Sequence, residues 1–342
     1  MRQSPVDAYW RASLALAAGL IWSSRERKSW LAATTVVLAA LVLTGFDARG
    51  CSTGSKVRLA YEKLAGHLPY LTWSQIGRDA FSRACFATPD SPETERGIQQ
   101  IGEKVVDGRQ LALFRTSMGD FWIAAASDGR QTLAWLQWEI DIRRDYESGG
   151  VVLRAGDTVI DCGAHVGVFT RHALRRGAAR VVAVEPAAEN IAALEASFAP
   201  EIADGRVLLV KGGVWDQRAT LLLSDDSTAR HSFLSPEAHG GAPTGAPVFP
   251  LDDIVREHQL DRVDFIKMDI EGAERRALAG ARETLARFKP RMAICTYHLR
   301  DDMSAVPAVV LGAVPGYSIH AKNVEARALQ FQPKVLFFHQ AL

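Results

Sequence analysis

Between residues 157 and 185 the chain lays down a strand, a glycine turn, a helix and a second strand that ends on an acid. Asp157-Thr158-Val159-Ile160-Asp161 is the first strand and Cys162-Gly163-Ala164-His165-Val166-Gly167 the turn. Val168 to Arg176 is the helix, and Arg180 to Val184 is the second strand, closing on Glu185-Pro186. Apolar runs of this kind without polar alternation are strands buried on both faces, which sets them in a parallel sheet with helices above and below. The expected fold class is α/β, of the Rossmann-like kind.

The turn carries the first chemistry. Gly163 permits the tight bend and Gly167 lets the backbone approach closely. With Ala164 and His165 between them, backbone N–H groups and a helix N-terminus would face a ligand. Asp161 ends its strand on the same rim. Glu185, at the end of the next strand, is a carboxylate able to accept both hydroxyls of a ribose, and its spacing from Asp161 is close to the roughly 20 residues usual for such a unit. Pro186 follows it, and Asn190 lies on the returning helix. A nicotinamide or flavin enzyme would use the same plan. The full G-x-G-x-x-G run is absent, however, because His165 stands where a close glycine would cradle pyrophosphate. A ligand with an adenosine and no diphosphate fits better, which points to S-adenosylmethionine.

A second cluster lies at Val263 to Glu274, VDFIKMDIEGAE. It reads as a strand, a loop and a helix that continues to about Lys289, where Pro290 stops it. Ligands of open α/β sheets bind outside the carboxyl ends of the strands, so Asp269, Glu271 and Glu274 are delivered to the rim that holds Asp161 and Glu185. Glu274 falls in the first helical turn, where a carboxylate offsets the helix dipole. Asp269, at the strand end, is a candidate general base or metal ligand. Arg291 to His298 reads as the next buried strand, and His298 at its end is either a base or ligand that helps in catalysis or a histidine satisfied by backbone. Lys267 is expected as an electrostatic partner of the carboxylates. If a divalent ion binds, Asp269 and Glu271 are its expected protein ligands, and their oxygen atoms favour magnesium or manganese.

The runs VIDCGAHVGVFT, VVAVEPAAEN and VDFIKMDIEGAERRALAGA resemble the FkbM family of methyltransferases, over roughly residues 150–340. KMDIEGAE, Lys267 to Glu274, is the most specific block and the glycine turn the least. The resemblance implies a class I methyltransferase fold, a seven-stranded sheet with helices on both faces. It also implies transfer of a methyl group from S-adenosylmethionine, mostly to oxygens of sugars, polyketides or related secondary metabolites. In similar enzymes the edge after the third strand, here Arg206 to Val214, flanks the adenine, so Trp215 either covers the base or is a core aromatic. His165 departs from the family, which usually has Asn there.

The rest of the chain is read more coarsely. Residues 1–51 contain an uncharged run, Trp30 to Phe46, at the short limit of the roughly 17–25 residues that span a bilayer. Membrane anchor, buried or interfacial helix and cleaved signal peptide all remain open there. Residues 52–150 form a lead-in subdomain to which no chemistry is assigned. It has strand character from Leu111 to Ala126, a turn at Gly119-Asp120, and a helix from Thr132 to Tyr146 with Leu133, Leu136, Ile140 and Trp135 as candidates for its apolar face. Residues 151–342 are the methyltransferase-like domain. Within it, Ser224 to Pro250, with His231, Ser232 and His239, reads as a long loop that holds the acceptor. A net charge of +1 argues against a strongly basic nucleic-acid binder. Cys51, Cys85, Cys162 and Cys295 make no CxxC pair and no zinc spacing, and the last two lie in buried strands. The expected partner is a small-molecule or carbohydrate acceptor, a glycolipid included. Because S-adenosylmethionine is a cytosolic cofactor, the catalytic domain is expected in the cytoplasm, free or held at a membrane. Two rival readings stay open: a nicotinamide-dependent oxidoreductase or epimerase, and a non-catalytic, membrane-attached binding protein.

Overall fold

The computed structural model describes residues 62–66, 68–75, 95–225, 231–232, 244–327 and 330–340. The candidate membrane segment 30–46, Cys51, Cys85 and His239 lie outside these residues. Among the described residues no helix is long and apolar enough to cross a membrane. The chain divides into two units, Met1–His67 and Leu68–Leu342. Of the first, only residues 62–66 are described, as a helical turn; everything below concerns the second.

Seven strands make the main sheet. In chain order they are β4 (Thr158–Cys162), β5 (Arg180–Glu185), β6 (Val207–Lys211), β11 (Phe265–Met268), β12 (Arg291–Cys295), β13 (Tyr317–Arg327) and β14 (Gln330–Gln340), arranged β13-β14-β12-β11-β4-β5-β6. The five strands from β12 to β6 run parallel, and β14 inserts antiparallel to both its neighbours. The expected seven-stranded α/β sheet is present. β4 and β11 are buried along their whole length, as strands covered on both faces must be. Between β4 and β5 runs α2 (Val168–Arg175), and α3 (Ala188–Ser197) follows β5.

The lead-in is a three-stranded meander, β1 (Gln99–Val106), β2 (Arg109–Thr116) and β3 (Gly119–Ala124), followed by helix α1 (Gly129–Gln137). It packs on the main sheet rather than standing apart. The Trp122 N–H on β3 donates to Ser197 Oγ at the end of α3, 2.8 Å away. Phe114, Phe121, Ile123 and Leu133 share one core with Val159, Val181, Phe198 and Phe337. Burying a side chain of Phe121's size contributes about 1.5–3 kcal/mol.

Several expectations are corrected. The turn between β2 and β3 falls at Ser117-Met118, and Gly119 already opens β3. The helix expected to reach Tyr146 ends at Gln137 and passes into a π-helical turn, Trp138–Ile142, while Trp135 stays exposed. The helix expected from the acid cluster to Lys289 is two helices, α6 (Glu274–Ala279) and α7 (Arg282–Phe288). The break lies at Gly280, which packs so tightly on the Trp215 carbonyl that a side chain there would overlap it. The expected 224–250 loop contains strand instead. Thr244–Phe249 is strand β10, which pairs with Ala219–Asp225 (β8), itself paired with His231–Ser232 (β9), and with Gly213–Val214 (β7) in a second sheet. Gly245 and Pro247 masked that strand in the sequence, because both residues ordinarily mark turns.

Candidate active site

Register builds the centre of the site. β4 and β11 pair in parallel with Asp161 opposite Lys267 and Cys162 opposite Met268. Two charges are thereby set side by side in a strand pair buried on both faces. Lys267 Nζ lies 3.2 Å from Asp161 Oδ1, and Asp161 Oδ2 accepts from Thr170 Oγ1 at 2.8 Å. The ammonium also donates to the Gly163 carbonyl at 2.7 Å and to the Cys162 carbonyl at 3.3 Å. Burial on its own would lower the Lys267 pKa, but the Asp161 and Asp269 carboxylates outweigh it and hold the pKa above the ordinary lysine value. Asp161 has no exposed surface. As placed, Asp161 and Lys267 support the glycine turn from beneath.

The turn itself depends on Gly163. Its φ is +77°, and a Cβ added there would come within 2.1 Å of the Asp269 carbonyl oxygen. The missing side chain lets the loop after β4 touch the loop after β11. The Asp269 N–H continues the pairing beyond β11 by donating to Cys162 O at 3.2 Å. Gly167, also left-handed, sits against Phe198 and Leu194, so its bare backbone serves helix packing. Ala164 is buried behind the turn. His165 adopts φ +52°, a region that Asn, Asp and His enter more readily than other side chains. That backbone conformation is as open to His as it is to Asn.

Glu185 is buried at the end of β5. Its carboxylate accepts the His165 N–H at 2.8 Å, the Ala187 N–H at 3.0 Å and Asn190 Nδ2 at 3.2 Å. Pro186 separates it from α3. Trp215 is half-buried, follows β7, and carries the Arg276 guanidinium 5.7 Å from its ring centre.

The acids of the second cluster converge on His298, which lies just beyond β12 and is 3% exposed. His298 Nδ1 is 2.9 Å from Glu274 Oε1, and that oxygen also accepts the Ile270 N–H at 3.0 Å. Glu274 is fully buried in the first turn of α6, where it was expected, and there it also turns to His298 and accepts the Ile270 N–H of the preceding loop. On its other side His298 Nε2 lies 3.4 Å from Asp269 Oδ1 and 3.4 Å from Glu271 Oε2. Burial alone would lower the His298 pKa, but Glu274 and the other two carboxylates raise it to about 9. Burial raises the Asp269 carboxyl, but His298, Lys267 and the Tyr146 hydroxyl outweigh it and bring it down to about 2.

Tyr146 comes from the lead-in and was missed in the sequence. Its hydroxyl lies 2.7 Å from Asp269 Oδ2 and 3.0 Å from Glu139 Oε1. Burial, then the nearby Asp269 charge, push the phenol well above its ordinary value, so it stays a neutral donor. Glu139 in turn meets Lys334 of β14 at 2.8 Å, and Asp145 meets the same ammonium at 3.2 Å. One signal for this network was present. Glu139 shares a helical face with Leu136 and Ile140, and a charge on an apolar face calls for a buried partner.

The family described as Methyltransferase FkbM domain matches residues 161–311. The 31-O-demethyl-FK506 methyltransferase FkbM of Streptomyces tacrolimicus is 31% identical over 178 residues, which span 44% of this chain and 68% of the relative. Among solved structures, methyltransferase FkbM from Methylobacillus flagellatus KT is 22% identical, with a TM-score of 0.42. That match covers 62% of this chain, which spans little more than half, 56%, of that protein's length. An rRNA methylase from Streptococcus thermophilus is 13% identical, with a TM-score of 0.34, covering 56% of this chain and 90% of that one.

Proposed function

The chain belongs to the FkbM methyltransferase family, and on that premise we propose that it transfers the methyl group of S-adenosylmethionine to a hydroxyl oxygen of a small molecule or carbohydrate. The observation that carries this reading is the close approach of Gly163 to the Asp269 backbone, which sets the half of the rim assigned here to the cofactor beside the half assigned to an acceptor. The donor set on the first half fits the cofactor. Glu185 offers a carboxylate to a ribose diol, and the bare Gly163 backbone leaves room for a ligand's polar end. Asn190 steadies Glu185, and Trp215 lies along the strand edge after β6, where an adenine would be flanked. S-adenosylmethionine supplies an already activated methyl group on a sulfonium.

The remaining work is positioning and proton removal. Asp269, ionised at every working pH, accepts the hydrogen bond of the incoming hydroxyl and orients its lone pair. A carboxylate with so low a pKa is a weak base towards an alcohol. The oxygen becomes a strong acid as the methyl group bonds to it, and the proton then passes to Asp269 late in the same step. The Tyr146 hydroxyl on Oδ2 and the His298 ring beside Oδ1 keep the Asp269 carboxylate in place meanwhile. Transfer to an oxygen is favoured because the Streptomyces tacrolimicus relative is named for a 31-O-demethyl substrate.

Calorimetric titration of the full chain with S-adenosylmethionine, S-adenosylhomocysteine and NAD tests the proposal. Binding of the first two, weakened about 10–100-fold by Glu185→Ala, is the expected result, since a hydrogen bond to a charged group is worth about 1.5–3 kcal/mol. Binding of NAD alone would overturn it.

A further inference from the structure

We propose that Asp269, Glu271 and His298 bind one divalent cation, with manganese preferred over magnesium. The inference rests on the rim being the methyl-transfer site described above, and it adds a third ligand, a nitrogen, to the two carboxylates read from the sequence. One ligand atom from each of Asp269, Glu271 and His298 lies within 4.8 Å of the other two, and His298 Nε2 is 3.4 Å from both Asp269 Oδ1 and Glu271 Oε2.

The spacing suits an ion better than hydrogen bonds. Nε2 stands 3.4 Å from both carboxylate oxygens, too far for a charge-assisted bond of about 2.7–2.9 Å. Two ligand atoms on a common ion, each at about 2.0–2.2 Å, stand about 3.0–3.4 Å apart in octahedral or tetrahedral geometry. Nε2 and Asp269 Oδ1 are both buried and make no hydrogen bond. Buried polar atoms left in this way are costly, so two that point at one locus indicate a missing partner.

Two of the three ligands are also held from behind. His298 Nδ1 faces Glu274 Oε1 at 2.9 Å, and Glu274 is anchored by the Ile270 N–H. A carboxylate on the far nitrogen of a metal-bound histidine fixes its tautomer and orientation. Asp269 Oδ2 takes the Tyr146 hydroxyl at 2.7 Å, leaving Oδ1 to face inward. One imidazole and two carboxylates form a mixed set. Imidazole suits first-row transition metals, while magnesium prefers oxygen throughout. An ion held there would acidify a hydroxyl that reached it.

The test uses the full chain, stripped with a chelator and titrated with manganese chloride in the absence of S-adenosylmethionine. Free aqueous manganese is followed by its electron paramagnetic resonance signal, and magnesium chloride is titrated in parallel by calorimetry. The expected result is one manganese site, tighter than magnesium, lost in Glu271→Gln and in His298→Gln and weakened 10–100-fold in Glu274→Gln. Glu271, 28% exposed, is the variant least able to disturb the fold. No saturable manganese site in the wild type would overturn the proposal, as would a site that Glu271→Gln leaves unchanged. S-adenosylmethionine binding, measured on the same samples, separates this failure from that of the methyl-transfer reading: cofactor binding without manganese overturns only the ion, and manganese binding without the cofactor only the transfer.

Discussion

Lys267→Met removes the ammonium 3.2 Å from Asp161 and the donor 2.7 Å from the Gly163 carbonyl, while keeping an unbranched side chain of similar length. Asp161 is fully buried and retains only Thr170 as a donor, so its charge is left uncompensated. Removing one member of a buried ion pair costs about 3–5 kcal/mol. The stranded Gly163 carbonyl adds about 1 kcal/mol. Against a usual net stability of about 5–15 kcal/mol, the variant folds but unfolds at much lower urea. Urea titration followed by far-ultraviolet circular dichroism at pH 7.5 should give a lower midpoint with an unchanged slope. Adding Asp161→Asn removes the second charge and should recover about 2–3 kcal/mol, a coupling typical of contacting residues. S-adenosylmethionine binding should stay weak in both variants, because the turn has lost its anchor. A cost below about 1 kcal/mol for Lys267→Met, or strictly additive losses in the double variant, would refute the claim that this pair holds the turn.

Two further outcomes follow from the geometry. Gly163→Ala should destabilise by about 2–5 kcal/mol, from a left-handed alanine and its overlap with the Asp269 carbonyl, and should abolish cofactor binding; thermal unfolding and calorimetry check both. His320 is stacked 5.0 Å from Phe337 with Nε2 3.2 Å from the Ser148 carbonyl, and burial lowers its pKa. The unfolded chain therefore takes up this proton more readily than the folded one, so the stability linked to it is full above the ordinary imidazole value of about 6.5 and lost as pH falls below it. His320→Gln should flatten that acid limb in urea midpoints measured from pH 7.5 to 5.0.

The parts of this site legible in the sequence are the local ones. β4, its turn and α2 follow one another within twenty residues, and buried apolar strands flanked by glycines announce themselves. That Lys267 partners a carboxylate was legible, but that Asp161 is the one it touches was not, because this depends on the register between strands about a hundred residues apart. Tyr146 was hidden for a similar reason. The helical face of Leu136 and Ile140 hinted that Glu139 is buried, but its partners, Lys334 and the Tyr146 hydroxyl that reaches Asp269, appear only in the folded chain. Asp269, Glu271 and His298 could be placed on one rim from strand ends alone. The direction of Glu274 could not, since helix capping and bonding to His298 make the same demand on the sequence.

The π-helical turn at Trp138–Ile142 bears on how this molecule can be divided. It carries Glu139 and leads directly to Tyr146, whose hydroxyl reaches Asp269. A fragment beginning at residue 151 would keep every sequence block that resembles the family and still leave Lys334 without both of its buried counter-charges. The catalytic half is thus not a transplantable module. Fusions, truncations and chimaeras should retain residues 95–150, and a loss of activity on cutting there would report a broken buried network rather than a missing substrate-recognition domain.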